Sequence, residues 1–351
     1  MNATIETNGR TYAGKLLEIP SSTDALRVVA NTGDDGAAIQ AAIDRAWQLI
    51  RETYKAFKPR PGVAYPNNEA GPEVWPRSEY AASAPVLLPS CPMEVDRLIF
   101  LPACIPLLGN GFGNVFDGSK IHFRDGGGLV VLGDMDAEFG RVLAHGRTIA
   151  GIYFAGKSNH LLQLRGAIDN LRIQNCHFNG GVSDFRWSSI FCMLSPIRRD
   201  AGGYGTLITD GAHLKDIVIS GNQIEGGYFG IYLNHPFGCD ITGNKFYYSD
   251  VGVGLRSSKG CIVSGNQFRK HVYAGLVDVH DGCHLENNAV QEAKRGFWVE
   301  GVHDDRLGDH MGTLNGQRSH PEMYTLDGGG KMGIPEAAAG LKAGVSFWSQ
   351  M

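Results

Sequence analysis

Several common functional signatures are missing from this 351-residue sequence. It contains no HExxH, CxxC or GxSxG motif, which excludes the most frequent zinc, redox and serine-hydrolase signatures. No apolar run reaches the roughly 18 residues that a membrane-spanning helix needs. The N-terminus, MNATIETNGR, also lacks the basic and apolar regions of a signal peptide. We therefore expect no membrane partner, and the sequence by itself leaves the location open.

Charge is also scarce. Charged residues make up 19% of the chain and the formal net charge is -4, so the sequence offers no basic surface for a nucleic acid. The seven cysteines are an odd number, which argues against a complete disulfide framework. Glycine, in contrast, is abundant at 48 residues, as expected for a chain that turns every few residues.

A repeat of 22 residues runs through the second half of the chain. It places Asn222, Asn244, Asn266 and Asn288 in one column, and cysteines at 239, 261 and 283 in another. Short β-rich runs at this spacing, separated by Gly-Asn turns, predict an all-β solenoid in which each coil stacks on the one before. We predict a single-domain, right-handed parallel β-helix over residues 1–351, with the cysteines as buried free thiols.

The regions outside the repeat have distinct patterns. Apolar positions at helical spacing behind Asp34 and Asp35 predict an amphipathic helix over 35–57, which would cap the open end of the solenoid. Six prolines mark 58–85 as an irregular excursion. Residues 302–351 lose the period and are expected to form a C-terminal cap.

An extended interval interrupts the repeat. Leu171 and Ile217 belong to the same apolar column as the cysteines but are 46 residues apart, so the chain between them holds more than one coil requires. We predict that residues 195–213 leave the stack as a loop. Arg198 and Tyr204 on this loop are candidate substrate-binding residues, and a solvated surface loop is the alternative.

The first third of the chain resembles the pectate-lyase-like superfamily of β-helix proteins. The resemblance is carried by the acidic pair and the helix AAIQAAIDRA, then by VLLP at 86–89, IFLP at 99–102 and LGNGFG at 108–113. It implies the β-helix fold, an extracellular or periplasmic location, and the homotrimers that β-helix proteins often form. The superfamily includes lyases, glycosidases, epimerases and phage tailspikes, so fold alone does not determine the chemistry.

One column of polar residues is the candidate site. Strands aligned at the repeat interval, with alternate residues pointing inward, leave a polar residue outside on each of four successive coils. These residues are Asn234, Arg256, Asp278 and Glu300, flanked by Tyr232 and Trp298 and followed at the next turn by His235 and His280. Arg256 beside Asp278 would suit a cross-strand ion pair, but two opposed carboxylates gain nothing structurally and indicate a functional site.

These residue types match the needs of a polysaccharide lyase. β-Elimination from a uronate requires a neutralised carboxylate, a base for the C5 proton and an acid for the leaving oxygen. Arg256 and Asn234 are candidates for the first role, His280 or His235 for the second, and Tyr232 for the third. Asp278 and Glu300 could hold Ca²⁺ through hard oxygen ligands. The segment VDVHDG, which contains Asp278 and His280, also resembles the D-P-H-D motif of β-helix mannuronan epimerases and related alginate enzymes.

Two other functions use the same residues. Paired carboxylates about 5 to 5.5 Å apart suit a retaining glycoside hydrolase or a glycan transferase. In a non-catalytic glycan-binding protein or a tailspike-like structural protein, Trp298 and Tyr232 would only hold the sugar. The sequence therefore predicts an acidic polysaccharide as the partner and a lyase as the preferred activity, with a glycosidase second.

Overall fold

A computed structural model describes most of the predicted solenoid. The described residues are 2–7, 10–15, 26–30, 33–56, 85–111, 118–124, 127–133, 146–156, 160–180, 188–193, 214–271, 273–281, 283–292, 295–300, 323–324 and 331–332. Three parallel sheets lie side by side along the molecule, and the chain visits them in rotation. This arrangement is a parallel β-helix with one α-helix at its N-terminal end, which confirms the predicted fold class.

The first sheet contains eight short strands. They are β3 (Val86–Leu87), β6 (Leu107–Leu108), β9 (Thr148–Ala150), β13 (Arg172–Gln174), β17 (Val218–Ser220), β21 (Asp240–Thr242), β24 (Ile262–Ser264) and β27 (His284–Glu286).

The second sheet also has eight strands. They are β4 (Pro92–Val95), β7 (Ser119–Phe123), β10 (Ile152–Gly156), β14 (His177–Asn179), β18 (Gln223–Glu225), β22 (Lys245–Tyr247), β25 (Gln267–Arg269) and β28 (Ala289–Gln291).

The third sheet is larger because some coils contribute two strands to it. Its members are β5 (Leu98–Pro102), β8 (Gly128–Leu132), β11 (His160–Arg165), β12 (Ile168–Asp169), β15 (Ser188–Met193), β16 (Leu214–Lys215), β19 (Phe229–Asn234), β20 (Pro236–Phe237), β23 (Val251–Lys259), β26 (Tyr273–Asp281) and β29 (Arg295–Glu300). Outside the solenoid, β1 (Asn2–Thr7) pairs antiparallel with β2 (Arg10–Lys15), and β30 (Met323–Tyr324) with β31 (Lys331–Met332).

The interior is built from columns of identical side chains. Phe246 and Phe268 are fully buried and stack with their ring centroids 4.6 Å apart, and Phe154 and Phe178 stack at 5.0 Å. Residues that precede and follow each of them along the strand are more exposed, as the two-residue period of a strand requires. Burial of these columns provides most of the driving force for stacking.

The repeated asparagines form a buried ladder at the corner between the first and second sheets. The Oδ1 of Asn244 accepts hydrogen bonds from the backbone N–H and the Nδ2 of Asn222, both at 2.9 Å. The Nδ2 of Asn244 donates to the carbonyl of Ile219 at 2.8 Å and to Asn266 Oδ1 at 3.0 Å. Each rung thus satisfies backbone groups that the turn would otherwise leave buried without a partner.

The stacked cysteines are free thiols in the apolar core. Cys239, Cys261 and Cys283 are each at most 1% exposed, and none of the six described cysteines is in a disulfide. The neighbouring thiol of Cys239, together with burial, raises the pKa of Cys261 to about 12. The prediction of buried free thiols is confirmed for these three.

The helix α1 (Asp35–Ala56) caps the N-terminal end of the stack, as predicted. It begins behind Asp34, whose Oδ1 accepts the N–H of Ala37 at 2.8 Å as an N-cap. The Gln40 side chain pairs with both the N–H and the C=O of Phe100, at 2.8 and 3.0 Å, on the first strand of the third sheet. Asp35 Oδ2 accepts the N–H of Glu94 in the first strand of the second sheet. Helix side chains therefore satisfy sheet edges that would otherwise be open.

Leu171 and Ile217 lie on adjacent rungs in spite of their long separation in sequence. Arg172 pairs directly with Val218, so the intervening chain belongs to one coil. Within that coil the chain from 194 to 213 lies outside the described residues, and so do 57–84 and nearly all of 301–351. The predicted loop at 195–213, the excursion at 58–85 and the cap at 302–351 stay predictions.

Candidate functional site

Two residues of the predicted column, Asn234 and Arg256, lie on the outer face of the third sheet. In β19, Ile231 and Leu233 are fully buried, whereas Tyr232 and Asn234 are partly exposed. In β23, Leu255 is buried and Arg256 is exposed. Apolar residues on alternate positions hold these strands against the core, and the polar residues between them are left facing solvent.

The register of the sheet aligns the candidate residues. Asn234 pairs with Arg256 across β19 and β23, and Asp278 pairs with Glu300 across β26 and β29. In a parallel sheet, neighbouring strands are about 4.8 Å apart, so each pair of backbone positions is in direct apposition. The two carboxyl-bearing positions therefore stand on adjacent rungs, as the sequence predicted.

A second file lies one step earlier along the strands. Tyr232, Gly254, Leu276 and Trp298 are partners in register. The aromatic positions at its two ends are thus in the same file, separated by two intervening rungs. Side chains of Asp278, His280, Trp298 and Glu300 fall outside the described part of the chain, and only their backbone positions are placed.

A β-bulge separates the two pairs, and the sequence did not predict it. Leu255 pairs with Val277, but the next partners are Ser258 and Val279, so Arg256 and the following serine together oppose Asp278. The physical reason is visible at Ser258, which is fully buried and has its Oγ 3.3 Å from Cys283 Sγ. If side chains alternated strictly between core and solvent after the buried Leu255, the side chain of Ser258 would face solvent. The extra residue in the bulge reverses this, so the side chain of Ser258 faces the core. Arg256 is therefore displaced from the straight file expected for it.

A second irregularity follows. Lys259 pairs with Asp281, so the register passes over His280 between Val279 and Asp281. Bulges re-aim the side chains next to them and are frequent beside active sites. Two irregularities in succession, one on each strand, thus fall where the sequence placed the catalytic residues.

His235 is the other candidate histidine, and the structure places it beside Arg256. It is exposed, its φ is 53°, and its backbone N–H donates to the carbonyl of Arg256 at 2.8 Å. Asn234, His235 and Arg256 are therefore brought together at the end of β19. Arg198 and Tyr204 lie outside the described residues.

An aromatic cluster covers the middle of this face, and sequence reasoning missed it. The ring of Phe229 lies 4.9 Å from that of Tyr228 and 5.0 Å from that of Tyr232. A Cβ on Gly254 would lie 2.5 Å from Phe229 Cε1 and 3.1 Å from Tyr232 Cδ2, so only glycine leaves room for the two rings. The signal was available, because a glycine inside a strand often marks a close approach by another group.

A second titratable cluster, on the second sheet, was also missed. His177 Nε2 lies 3.4 Å from Glu225 Oε1, and its ring meets that of Tyr153 edge-on at 4.6 Å. Burial lowers the pKa of His177 even though the Glu225 carboxylate opposes the shift. His177 and Glu225 are separated by the long interval in the repeat, which conceals their proximity in the sequence.

One match to a family model agrees with the fold. The family model described as "Periplasmic copper-binding protein (NosD)" matches residues 200–310, which include the last coils of the solenoid and the candidate column. A solved structure described as Geobacillus virus E2 ORF18 is similar with a TM-score of 0.34 and 10% sequence identity, over 86% of this chain and 68% of that one. No curated protein sequence matches significantly. In the described part of the chain, no helix has the length and apolar character of a membrane span.

Proposed function

We propose that this β-helix protein acts on an acidic polysaccharide at the outer face of the third sheet, as a lyase of the pectate-lyase-like type. One observation carries the proposal: the sheet register pairs Asn234 with Arg256 and Asp278 with Glu300, next to a file that begins at Tyr232 and ends at Trp298. Two carboxyl-bearing positions on adjacent rungs, beside an exposed arginine, form a costly arrangement that a purely structural surface does not need.

Arg256 and Asn234 would meet the first requirement of β-elimination. The exposed guanidinium of Arg256 and the amide of Asn234 would bind the uronate carboxylate and stabilise the enolate charge that develops there. His280 or His235 would then accept the C5 proton. As the C4–O bond breaks and the C4–C5 double bond forms, the leaving oxygen would take a proton from Tyr232.

Asp278 and Glu300 are the proposed Ca²⁺ ligands, because carboxylate oxygens on adjacent strands are hard ligands close enough to share one ion. The same separation supports the second candidate function. Retaining glycosidases place two carboxyl groups about 5 to 5.5 Å apart, close to the spacing of adjacent strands. Hydrolysis or glycan transfer is therefore the alternative chemistry, and a non-catalytic or tailspike-like protein would use the same face only to bind glycan.

Copper, named in the description of the NosD family, does not fit the described residues. Copper prefers thiolate, thioether and imidazole ligands. The described residues contain no group of three or more His, Cys, Asp or Glu side chains that could hold a metal ion. The stacked thiols of Cys239, Cys261 and Cys283 are buried in the core instead. We therefore propose no copper site among the described residues.

We also propose that this protein is periplasmic or extracellular, and the word periplasmic in the description of the NosD family supports this proposal. There the protein would meet polysaccharides of the cell surface or of the surroundings. A homotrimer is part of this proposal because β-helix proteins often trimerise, and a sedimentation measurement would test it. Neither nucleic acid nor membrane is proposed as a partner.

The test is a substrate panel. Alginate, pectate, glycosaminoglycans and neutral glycans would be incubated with and without EDTA, and both ultraviolet absorbance and new reducing ends would be recorded. The proposal expects absorbance from an unsaturated uronate, and loss of at least about a hundredfold in rate in Arg256→Ala or Asp278→Asn. The matched control is Arg172→Ala, an exposed arginine on the first sheet. Reducing ends without absorbance would indicate hydrolysis, and turnover unaffected by both substitutions would overturn the site.

A further inference from the structure

Three left-handed residues with bulky side chains line the corner where the chain passes from the second sheet to the third. They are Tyr248, Lys270 and Glu292, with φ of 59°, 62° and 55°, and they occupy equivalent positions on successive coils. On the preceding coil the same position is Gly226, with φ of 74°. Backbone bonds continue through the corner, since Tyr248 N–H donates to Arg269 O at 3.2 Å and Lys270 N–H to Gln291 O at 3.1 Å.

The other two corners of the coil also contain residues with positive φ, but of different types. Their left-handed residues are all glycine, asparagine or aspartate, the types that tolerate positive φ. They are Asn175, Gly221, Gly243, Gly265 and Asn287 between the first and second sheets, and Asn170, Asp216, Gly238 and Gly260 between the third and first. Tyrosine, lysine and glutamate are uncommon in this conformation. Their presence here therefore has a cost in backbone strain that glycine or asparagine would avoid. Strain of this kind suggests a function for the side chains.

The side chains at this corner form a mixed aromatic and cationic surface. Tyr248 is 58% exposed, and Lys270 Nζ lies 5.0 Å from its ring centroid and 3.4 Å from its hydroxyl oxygen. Arg269 donates to Glu292 Oε1 from Nε at 2.9 Å and from Nη2 at 2.8 Å, which fixes the guanidinium. Glu292 Oε2 is 4.0 Å from Lys270 Nζ, and the ring of Tyr247 is 6.4 Å from that of Tyr248.

We infer that this corner surface, made of Tyr247, Tyr248, Arg269, Lys270 and Glu292, is a binding surface for an anionic glycan. A pyranose ring can stack on the exposed face of Tyr248, because C–H groups pack well against an aromatic face. A carboxylate or sulfate on the sugar is attracted by Lys270 and Arg269, whose two positive charges exceed the single charge of Glu292. An exposed aromatic ring with two cations beside it matches the two features of an acidic sugar, an apolar ring face and a negative charge.

The inference rests on the proposed function for its ligand class, an acidic polysaccharide. It adds a second contact for that polymer, on a different part of the solenoid from the Arg256 and Asp278 column. Two weak contacts on one chain raise the overall affinity through a high effective concentration. A long polymer is therefore expected to bind more tightly than a short oligosaccharide that reaches only one of them.

The experiment uses substitutions that should relieve the backbone while removing the side chain. Tyr248→Asn and Lys270→Asn place a residue that favours positive φ at each position, so the melting temperature should stay the same or rise by about 1–2 °C. Affinity for alginate, pectate or glycosaminoglycan polymers, measured by calorimetry, should fall about tenfold in Tyr248→Asn, the value expected for loss of one aromatic contact. Added salt should weaken wild-type binding more than binding by Lys270→Asn.

Asn175→Gly is the matched control, because it changes a left-handed residue at another corner and should leave glycan affinity unaltered. Equal affinity of Tyr248→Asn and wild type for every acidic polymer would overturn the inference. So would a large fall in the melting temperature of Tyr248→Asn, since it would show that the ring serves the fold. If glycan binding depends on Tyr248 but no polymer is cleaved, the proposed lyase activity is wrong and the proposed binding surface is supported. If a polymer is cleaved but its binding does not depend on Tyr248, the lyase activity is supported and the binding surface is wrong.

Discussion

At the residue scale, single small side chains decide what this face can present. Gly254 lies in register with Tyr232 on the outer face, and its missing Cβ leaves the space that the Phe229 ring fills. The ring of Phe229 is thereby nearly buried although it leans over an outward-facing position. The aromatic cluster beside the candidate site thus depends on Gly254, although this residue has no side chain that could contact a substrate.

Gly254→Ala should therefore destabilise the protein by about 1–3 kcal/mol, because the added methyl group forces the Phe229 ring out of its position. Equilibrium unfolding in urea would measure this change. In a double-mutant cycle with Phe229→Leu, the second substitution should recover part of the loss, since the smaller side chain leaves room for the methyl group. Strictly additive effects would show that the contact between residues 229 and 254 is not the cause.

His271 is a second residue whose environment has a measurable consequence. It is 3% exposed, with Nδ1 2.8 Å from the carbonyl oxygen of Ser249 and Nε2 3.0 Å from that of Phe246. Burial lowers the pKa of His271 below its usual 6.5 and outweighs the two carbonyl oxygens and Asp250, which favour the charged ring. Burial therefore favours the neutral ring, in which only one of the two ring nitrogens can donate a hydrogen bond to a carbonyl oxygen.

Because the folded pKa is depressed, the unfolded chain binds the proton more readily below about pH 6.5. Stability contributed by neutral His271 should be complete above that pH and lost as the pH falls toward the folded pKa. Melting curves near pH 7.5 and pH 5 would measure the loss, which should be smaller in His271→Gln. His284→Gln, at an exposed histidine, is the control and should behave as wild type. Equal acid sensitivity in His271→Gln and wild type would contradict the assignment.

At the scale of elements, the corners carry as much information as the strands. The asparagine ladder satisfies turn backbone groups from inside the core, and the helix α1 satisfies strand edges at the N-terminal end. In both cases a side-chain amide replaces a missing backbone partner. The amide suits this role because it donates and accepts at once.

Asn244→Ala should cost about 3 kcal/mol, because it leaves the N–H of Asn222 and the C=O of Ile219 buried without their partners. The measurement is the free energy of unfolding in urea. Gln267→Ala, at an exposed position on the neighbouring rung, is the control and should change stability by less than about 0.5 kcal/mol. A cost for Asn244→Ala as small as that of the control would mean that water or a neighbouring group replaces the amide.

The constant repeat interval made the stacked columns predictable from the sequence. Features that depart from the repeat could not be predicted from this interval. Asn222 and Cys239 each begin a column at constant spacing, so stacking and burial followed from the interval alone. The bulge at Arg256 could not be predicted in this way, since the residues that follow it are all polar and show no alternation. The contacts between Gln40 and Phe100 join parts of the chain with no common period. Local patterns thus determine the coil, but not the places where one coil departs from the next.

At the scale of the whole molecule, we expect the solenoid to tolerate long insertions, because the strands of each coil are held by pairing with the strands of the adjacent coils. Met193 pairs with Arg165 and Leu214 with Ile168, so the chain leaves and rejoins the sheet at the same two points as in the preceding coil. In that coil, Gly166 and Ala167 are sufficient to join the two strands. Residues 194–213 therefore bridge a gap that two residues can cross.

Replacing residues 194–213 by Gly-Ala should leave the β-helix intact, with a melting temperature within about 3 °C of wild type, because loop-closure entropy changes little with length. Circular dichroism and thermal melting would test this. Arg198 and Tyr204 are removed by the same change, so a deletion variant that is folded but binds acidic glycans more weakly would support their predicted role. A variant that fails to fold would instead show that the segment contributes to the stack itself, which the pairing of Met193 and Leu214 with the previous coil argues against.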